Sequence, residues 1–431
     1  MRIEEILDTE KITPNQSKIL WIARLSWSFV AMEIIIISFT LQLFANIFSL
    51  DKIQLAFLAS AVLIGDTIGA IIFGRFADVL GRRLLFQISL LWYSIFTALT
   101  ALSFNFESLV TFRILAGIGL GGMLVVDPAL LSEFLPRRKR GNLMVSLDLS
   151  WPFGSLLALL MAYIFLVILN DNWRALFLAI AFPAFTIALF RFYVPESPFY
   201  LAKSGKLDEA AKTLFKVTNK EVDAKAIEFA IEEEGSYYEL FRNYGLRVLV
   251  MLIAWCALNY TYYGLFLWLP DVLNVVNLFG NIWLFLALAF IFQIPGYLTA
   301  MYLVERIGRK GTLYVFLFMS GITGISMGIF TNSALLFGIS LLAVSFFNLG
   351  AWGAVYPFTS ELFPTKLRGK AFGLAEGIGK VVSVLGPIVF GFIYAITNGV
   401  TMPLVVTSAI AAIAAILIYF LAPETRKLIF D

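Results

Sequence analysis

Histidine is absent from the 431 residues, and cysteine occurs once. Without histidine, no side chain titrates near neutrality unless its surroundings shift it, so proton chemistry falls to carboxylates. The single Cys256 excludes an internal disulfide, and its apolar surroundings mark it as a packing residue. Charge is scarce as well: 14% of residues are charged and 60% are hydrophobic, where soluble domains carry about 25% charged residues. No phosphate-cradling glycine loop and no metal-spaced ligand set occurs, so neither catalysis nor a metal or cofactor is expected. The net charge of +3 gives no reason to expect a nucleic-acid partner. Residues 1–20 are polar and mixed in charge, so no cleavable signal peptide is expected.

What the chain has in abundance is apolar runs of about 20 residues, the length that crosses a bilayer. Helices are predicted near 22–46, 54–76, 84–104, 108–131, 142–169 and 174–194, then near 246–269, 280–304, 312–330, 334–358, 370–396 and 401–421. The polar stretch 195–245 separates the sets, and "GKLDEAAKTLFKV" and "DAKAIEFAIEEE" within it read as short amphipathic helices. This gives an all-α membrane protein with a first bundle at 1–194, a linker at 195–245 and a second bundle at 246–431.

Basic residues crowd into alternate loops: "GRFADVLGRR" (74–83), "LPRRKRGN" (135–142), the linker, "ERIGRKG" (305–311), "PTKLRGK" (364–370) and "ETRKL" (424–428). The other loops nearly lack them, with Lys52 and Arg174 as the main exceptions. The positive-inside rule then places those loops and both termini in the cytoplasm, with a cell-membrane location. The chain also repeats itself. "VLGRR" returns as "RIGRK", "SEFLPRRKRG" as "SELFPTKLRG" and "VPES" as "APET". Glu133 to Glu361 and Pro195 to Pro423 are each 228 positions apart, as expected of two parallel six-helix repeats.

With "RILAGIGLGG" (113–122) and "PESPFYL" (195–201), these motifs resemble the major facilitator superfamily, in the branch of sugar porters, organic-ion transporters and synaptic-vesicle-protein-like metabolite:proton symporters. The resemblance covers nearly the whole chain and implies alternating access driven by a proton gradient, by a monomer. It also implies a gating role for Asp66, Asp78, Arg82 and Arg83, and for Glu133 with Arg140 and Glu361 with Arg368. The bland alternative is loop charges that set topology only.

Charges inside spans are costly and commonly functional. Glu33 and Arg113 match an Asp and an Arg that face each other in proton-coupled sugar porters, with Glu replacing the Asp. They read as a proton-coupling pair, or as a permanent ion pair, with Arg113 also near enough to its helix end to snorkel. Asp127 is either a second proton site or a solvated helix-end carboxylate, and Asp148 is weighed in the same way. The family fold packs helices 2 and 11 together, so Asp66 is expected to meet Lys380 at matching depth.

Lys380 is about 16 Å along its helix from Gly369, too deep to snorkel easily. A basic residue seven positions before a proline also marks the organic-anion branch, and Pro387 keeps that spacing. Lys380 thus contacts an anionic solute, or is neutralised by Glu376 or Asp66. Asn259, Tyr260, Tyr262, Tyr263 and Trp268, with Trp151, Trp352 and Tyr356, are candidate cavity residues, or else belts and packing. "WCALNYTYYG" lacks the Gln-Gln pair of familiar sugar porters, and no Gln stands near Ser155. The leading expectation is a symporter of a small carboxylate or aromatic acid. A sugar or polyol symporter and a non-transporting, receptor-like member are the alternatives.

Overall fold

The computed structural model describes residues 2–136, 140–190, 194–227, 235–276 and 280–425, without the side chains of 78, 79, 140–142, 145 and 183–190. Twelve long helices are α1 (Pro14–Phe48), α2 (Lys52–Leu80), α3 (Arg82–Thr100), α4 (Phe106–Ser132), α5 (Arg140–Asp148 with Trp151–Ala162), α6 (Trp173–Phe190), α7 (Tyr237–Phe266), α8 (Ile282–Arg306), α9 (Arg309–Ile329), α10 (Ala334–Leu362), α11 (Thr365–Thr397) and α12 (Thr401–Leu421). No strand occurs among the described residues. Eleven spans are long and apolar enough to cross a membrane, and α6 contributes the shorter apolar stretch Trp173–Phe182. The chain is an integral membrane protein of the all-α class expected.

The two halves pack alike. In the first, α2 packs on α4, α3 on α4 and α6, and α1 on α5. In the second, α8 packs on α10, α9 on α10 and α12, and α7 on α11. The halves meet where α2 lies along α11 and α5 along α8. The internal repeat in the sequence is thus a repeat of packing.

Several helix ends differ from the expected ones, for chemical reasons. α1 begins at Pro14, well before its apolar run, because Thr13 and Gln16 form a capping box with Pro14 in the first turn. α7 begins at Tyr237, where the Ser236 hydroxyl accepts from the Glu239 N–H. It ends at Phe266, and a separate short helix Leu269–Val276 continues outward. Of the two expected linker helices, the first is present as Leu207–Thr218. It docks on the first half through Thr13 Oγ1, which donates to the Val217 carbonyl at 2.6 Å. The second starts instead as a 3-10 turn, Ala224–Ala226, and its remainder lies outside the described residues.

At the basic end, Gly81 and Gly308 occupy equivalent corners with φ of +90° and +92°, which a side chain would strain. The N–H groups that follow are capped in parallel fashion. Arg83 N donates to Glu196 at 3.1 Å, and Arg309 N donates to Glu424 at 3.2 Å. The glutamates of "VPES" and "APET" therefore sit at the positive ends of α3 and α9.

Candidate functional site

α5 is interrupted at Leu149 and Ser150. The Ser28 hydroxyl of α1 donates to the Ser150 carbonyl at 3.0 Å and ties α1 to the break. On either side of the break stand Asp148 and Trp151. Both line a cavity of about 600 Å³, mouth included, between the two halves. A break at the depth of the cavity is how membrane helices present polar groups to a bound solute.

The first half contributes Trp27, Asp66, Leu124, Asp148 and Trp151 to the wall. The second contributes Asn259, Tyr262, Tyr263, Tyr297, Leu349, Trp352, Tyr356, Glu376, Lys380 and Ser383. Trp151 donates its indole N–H to the Tyr262 hydroxyl at 2.6 Å. Its ring lies edge-on to Tyr263, 6.4 Å between centroids. Trp352 and Tyr356 tilt together at 6.2 Å on the α10 side. Asn259 donates to its own backbone at Trp255, 2.9 Å away.

Lys380 is 5% exposed, and its Nζ meets Asp66 Oδ1 at 2.5 Å across the boundary between the halves. Glu376, one helical turn away, adds a second negative charge to its surroundings. Asp66, read from the sequence as a gating residue, is a cavity residue as well. Asp148 accepts a hydrogen bond from Tyr297, at 3.4 Å, and lies beside the Tyr356 hydroxyl.

Three candidates lie elsewhere. Tyr260 does not line the cavity; its hydroxyl lies toward Thr407 of α12. Trp268 donates to the Pro387 carbonyl at 3.0 Å and stacks on Phe390. Asp127 is only 4% exposed, which rules out the solvated alternative, and its Oδ2 has no hydrogen-bond partner among the described residues. Residues the sequence did not single out are Trp27, Tyr297, Leu124, Leu349 and Ser383. Tyr297 follows Pro295 within α8, and Trp27 is one aromatic in an apolar run, so neither carried a distinctive signal.

Outside the cavity, Glu33 and Arg113 form a fully buried ion pair between α1 and α4. Arg113 does not snorkel: it also donates to the Glu33 carbonyl at 3.0 Å and lies 5.3 Å from the Phe177 ring. Thr97 Oγ1 donates to Glu33 Oε1 at 2.8 Å, while Glu33 Oε2 has no partner among the described residues. One carboxylate oxygen is thus fully engaged, and the other is open to a proton.

At the basic end, two ion pairs join the repeated motifs. Glu133 meets Arg82 at 2.7 Å, and Glu361 meets Arg309 at 2.9 Å. Each glutamate thus reaches the first turn of α3 or α9. Arg368 keeps a longer-range attraction to Glu361. The side chains of Asp78 and Arg140 lie outside the described residues.

The end of the bundle away from the basic loops is sealed. Ser60 Oγ donates to the Val384 carbonyl at 3.1 Å, and Thr67 Oγ1 donates to the Lys380 carbonyl at 3.2 Å. Gly391 leaves no room for a side chain against Ala56 and Trp268. The two basic residues at this end have structural partners. Arg174 donates to the carbonyls of Ala101, at 3.1 Å, and Ser103 at the end of α3. Lys52 of α2 lies 3.4 Å above the Tyr394 ring of α11 and attracts Asp271, to which the Tyr394 hydroxyl donates. Burial pushes the Asp271 carboxyl up from its ordinary range, partly offset by Lys52.

The family described as "Sugar (and other) transporter" matches residues 15–431. The niacin transporter NiaP of Acinetobacter baylyi is 33% identical over 421 residues, 95% of this chain and 94% of that protein. The Synaptic vesicle 2-related protein of Xenopus laevis is 24% identical over 98% of this chain and 81% of its own length. Among solved structures, the partially occluded inward-open xylose transporter XylE from E. coli superposes with a TM-score of 0.77 at 19% identity, covering 95% of this chain and 100% of that one. That likeness speaks to the fold.

Proposed function

The chain belongs to the sugar (and other) transporter family, as a transporter of the major facilitator type, and from that premise we propose that it moves a small aromatic carboxylate of the niacin kind together with a proton. The observation that carries this reading is Lys380, a buried ammonium in an aromatic-walled cavity. An anion gains from a cation out of water, and flat rings gain from Trp and Tyr walls. The 33% identity with a niacin transporter supports the same class.

The basic loops face the cytoplasm by the positive-inside rule, in the cell membrane. The sealed end then faces outward, and the cavity opens inward. Glu33 is the coupling carboxylate. Deprotonated, it holds Arg113; protonated on its open Oε2, it weakens that hold and lets α1 and α4 shift. α1 also carries Trp27 into the cavity wall, which links the proton site to the solute. A sugar has less to bind to, since the amide of Asn259 is turned to its own backbone.

Proteoliposomes with an imposed inward proton gradient test the proposal. Labelled niacin should accumulate above its external level, and xylose should not. Accumulation of xylose alone would overturn it, and binding without counterflow would mark a receptor-like protein.

A further inference from the structure

Four charged side chains line the cavity: Asp66, Asp148, Glu376 and Lys380. Among the described lining residues Lys380 is the only cation, and it already touches Asp66. A bound carboxylate would bring a fourth negative group to one ammonium. An anion without compensation is therefore a poor match for this field. Asp148 is where compensation is missing. It sits at the break in α5, and the hydroxyl groups around it, Tyr297, which donates to it, and Tyr356, are neutral. They arrive from two different helices, α8 and α10, and position the carboxyl, yet it still faces the cavity. A buried carboxylate fixed by neutral donors favours a positive partner, and none of the lining side chains supplies one.

We propose that Asp148, positioned by Tyr297 and Tyr356, is a subsite for a cationic ring nitrogen, so that the favoured solute is dipolar, with its carboxylate toward Lys380 and its nitrogen toward Asp148. The inference rests on the carboxylate reading above. A pyridine carboxylic acid binds with a proton taken from solvent on its ring nitrogen, and that N–H⁺ donates to the ionised Asp148 carboxylate. A quaternary nitrogen needs no such proton and pairs with the carboxylate directly. The aromatic wall serves both ends of such a ligand. Trp151 and Trp352 offer π faces to the flat ring, and a cationic ring is attracted to them more than a neutral one. The solute and its positive charge then occupy the cavity as a net-neutral species, which an anion such as benzoate does not.

Equilibrium titration of the purified full-length protein in nanodiscs tests this with three probes of one shape. Benzoate is the anion, 1-methylpyridinium-3-carboxylate the zwitterion and 1-methylpyridinium-3-carboxamide the cation. The zwitterion should bind at least about ten-fold tighter than either of the others. Asp148→Asn should reduce that gap to about three-fold or less by weakening the zwitterion relative to benzoate. The comparison on the unaltered protein needs no variant to fold. Benzoate binding as tightly as the zwitterion, or an undiminished gap in Asp148→Asn, overturns the subsite and leaves the carboxylate reading standing. Xylose binding with no carboxylate bound overturns both.

Discussion

Lys380 of α11 and Asp66 of α2 join the two halves at the cavity, Nζ to Oδ1 at 2.5 Å. Alternating access moves the halves against each other, so this bond must be remade during the cycle. In the proposed function, a solute carboxylate that replaces Asp66 on the ammonium provides the exchange. Removing one partner of a buried pair costs about 3–5 kcal/mol because the other charge is left alone. Lys380→Gln should therefore lower thermal stability and abolish carboxylate binding. Combined with Asp66→Asn, it should regain stability but not binding. Carboxylate affinity restored in the double variant would make Lys380 a structural charge only. Lys380→Arg should keep partial affinity.

Glu33 carries the coupling proposal. Glu33→Gln imitates the protonated acid and keeps an acceptor for Thr97, so the fold should survive. Uphill accumulation should fall at least about ten-fold, while counterflow exchange of labelled solute continues. Arg113→Ala should also lose accumulation. Normal uphill transport in Glu33→Gln, with unchanged pH dependence, would remove the proton from this pair.

The sealed end should respond to pH through Asp271. Its carboxyl is raised by burial when Lys52, Tyr394 and Asp271 are together, and opening would return it to solvent. A carboxyl with the higher pKa in the closed form binds protons better there, so acid favours closure. The closing contribution is complete below the ordinary carboxylate pKa of about 4 and is lost as pH rises through the raised value. Impermeant labelling of a cysteine placed at Ala56, in a Cys256→Ala background, should slow on acidification across that window. Asp271→Asn should flatten the dependence. Faster labelling in acid would reverse the sign and reject the account.

The spans and the repeat were readable because apolar length and recurring motifs leave marks in one dimension, while the pairing of Glu33 with Arg113 followed from the family resemblance. The direction in which a side chain points left weaker marks. α7 is apolar nearly all round, so its period does not say which face is wet. That is why Tyr260 was grouped with Tyr262 and Tyr263, although it turns to α12 and they turn to the cavity. The break at Leu149 and Ser150 carries no glycine, and only the following Pro152 hints at it. Arg82 and Arg309 as partners of Glu133 and Glu361 depend on tertiary packing, which the spacing within one motif does not encode.

The paired corners at the basic end give a last prediction. Glu196 and Glu424 accept from N–H groups in the first turns of α3 and α9, at Arg83 and Arg309, each close after a glycine with positive φ. A carboxylate at a helix N-terminus contributes about 0.3–1 kcal/mol through the helix dipole. Glu196→Gln and Glu424→Gln should each cost that much, and their double variant should cost the sum, since the sites lie in different halves. Gly308→Ala should cost more, because its Cβ would crowd the Glu424 carboxylate and positive φ adds about 1–2 kcal/mol. Thermal unfolding of the purified variants checks the ranking. A silent Gly308→Ala, or a glutamine effect confined to one half, would show that the two corners do not share one capping mechanism.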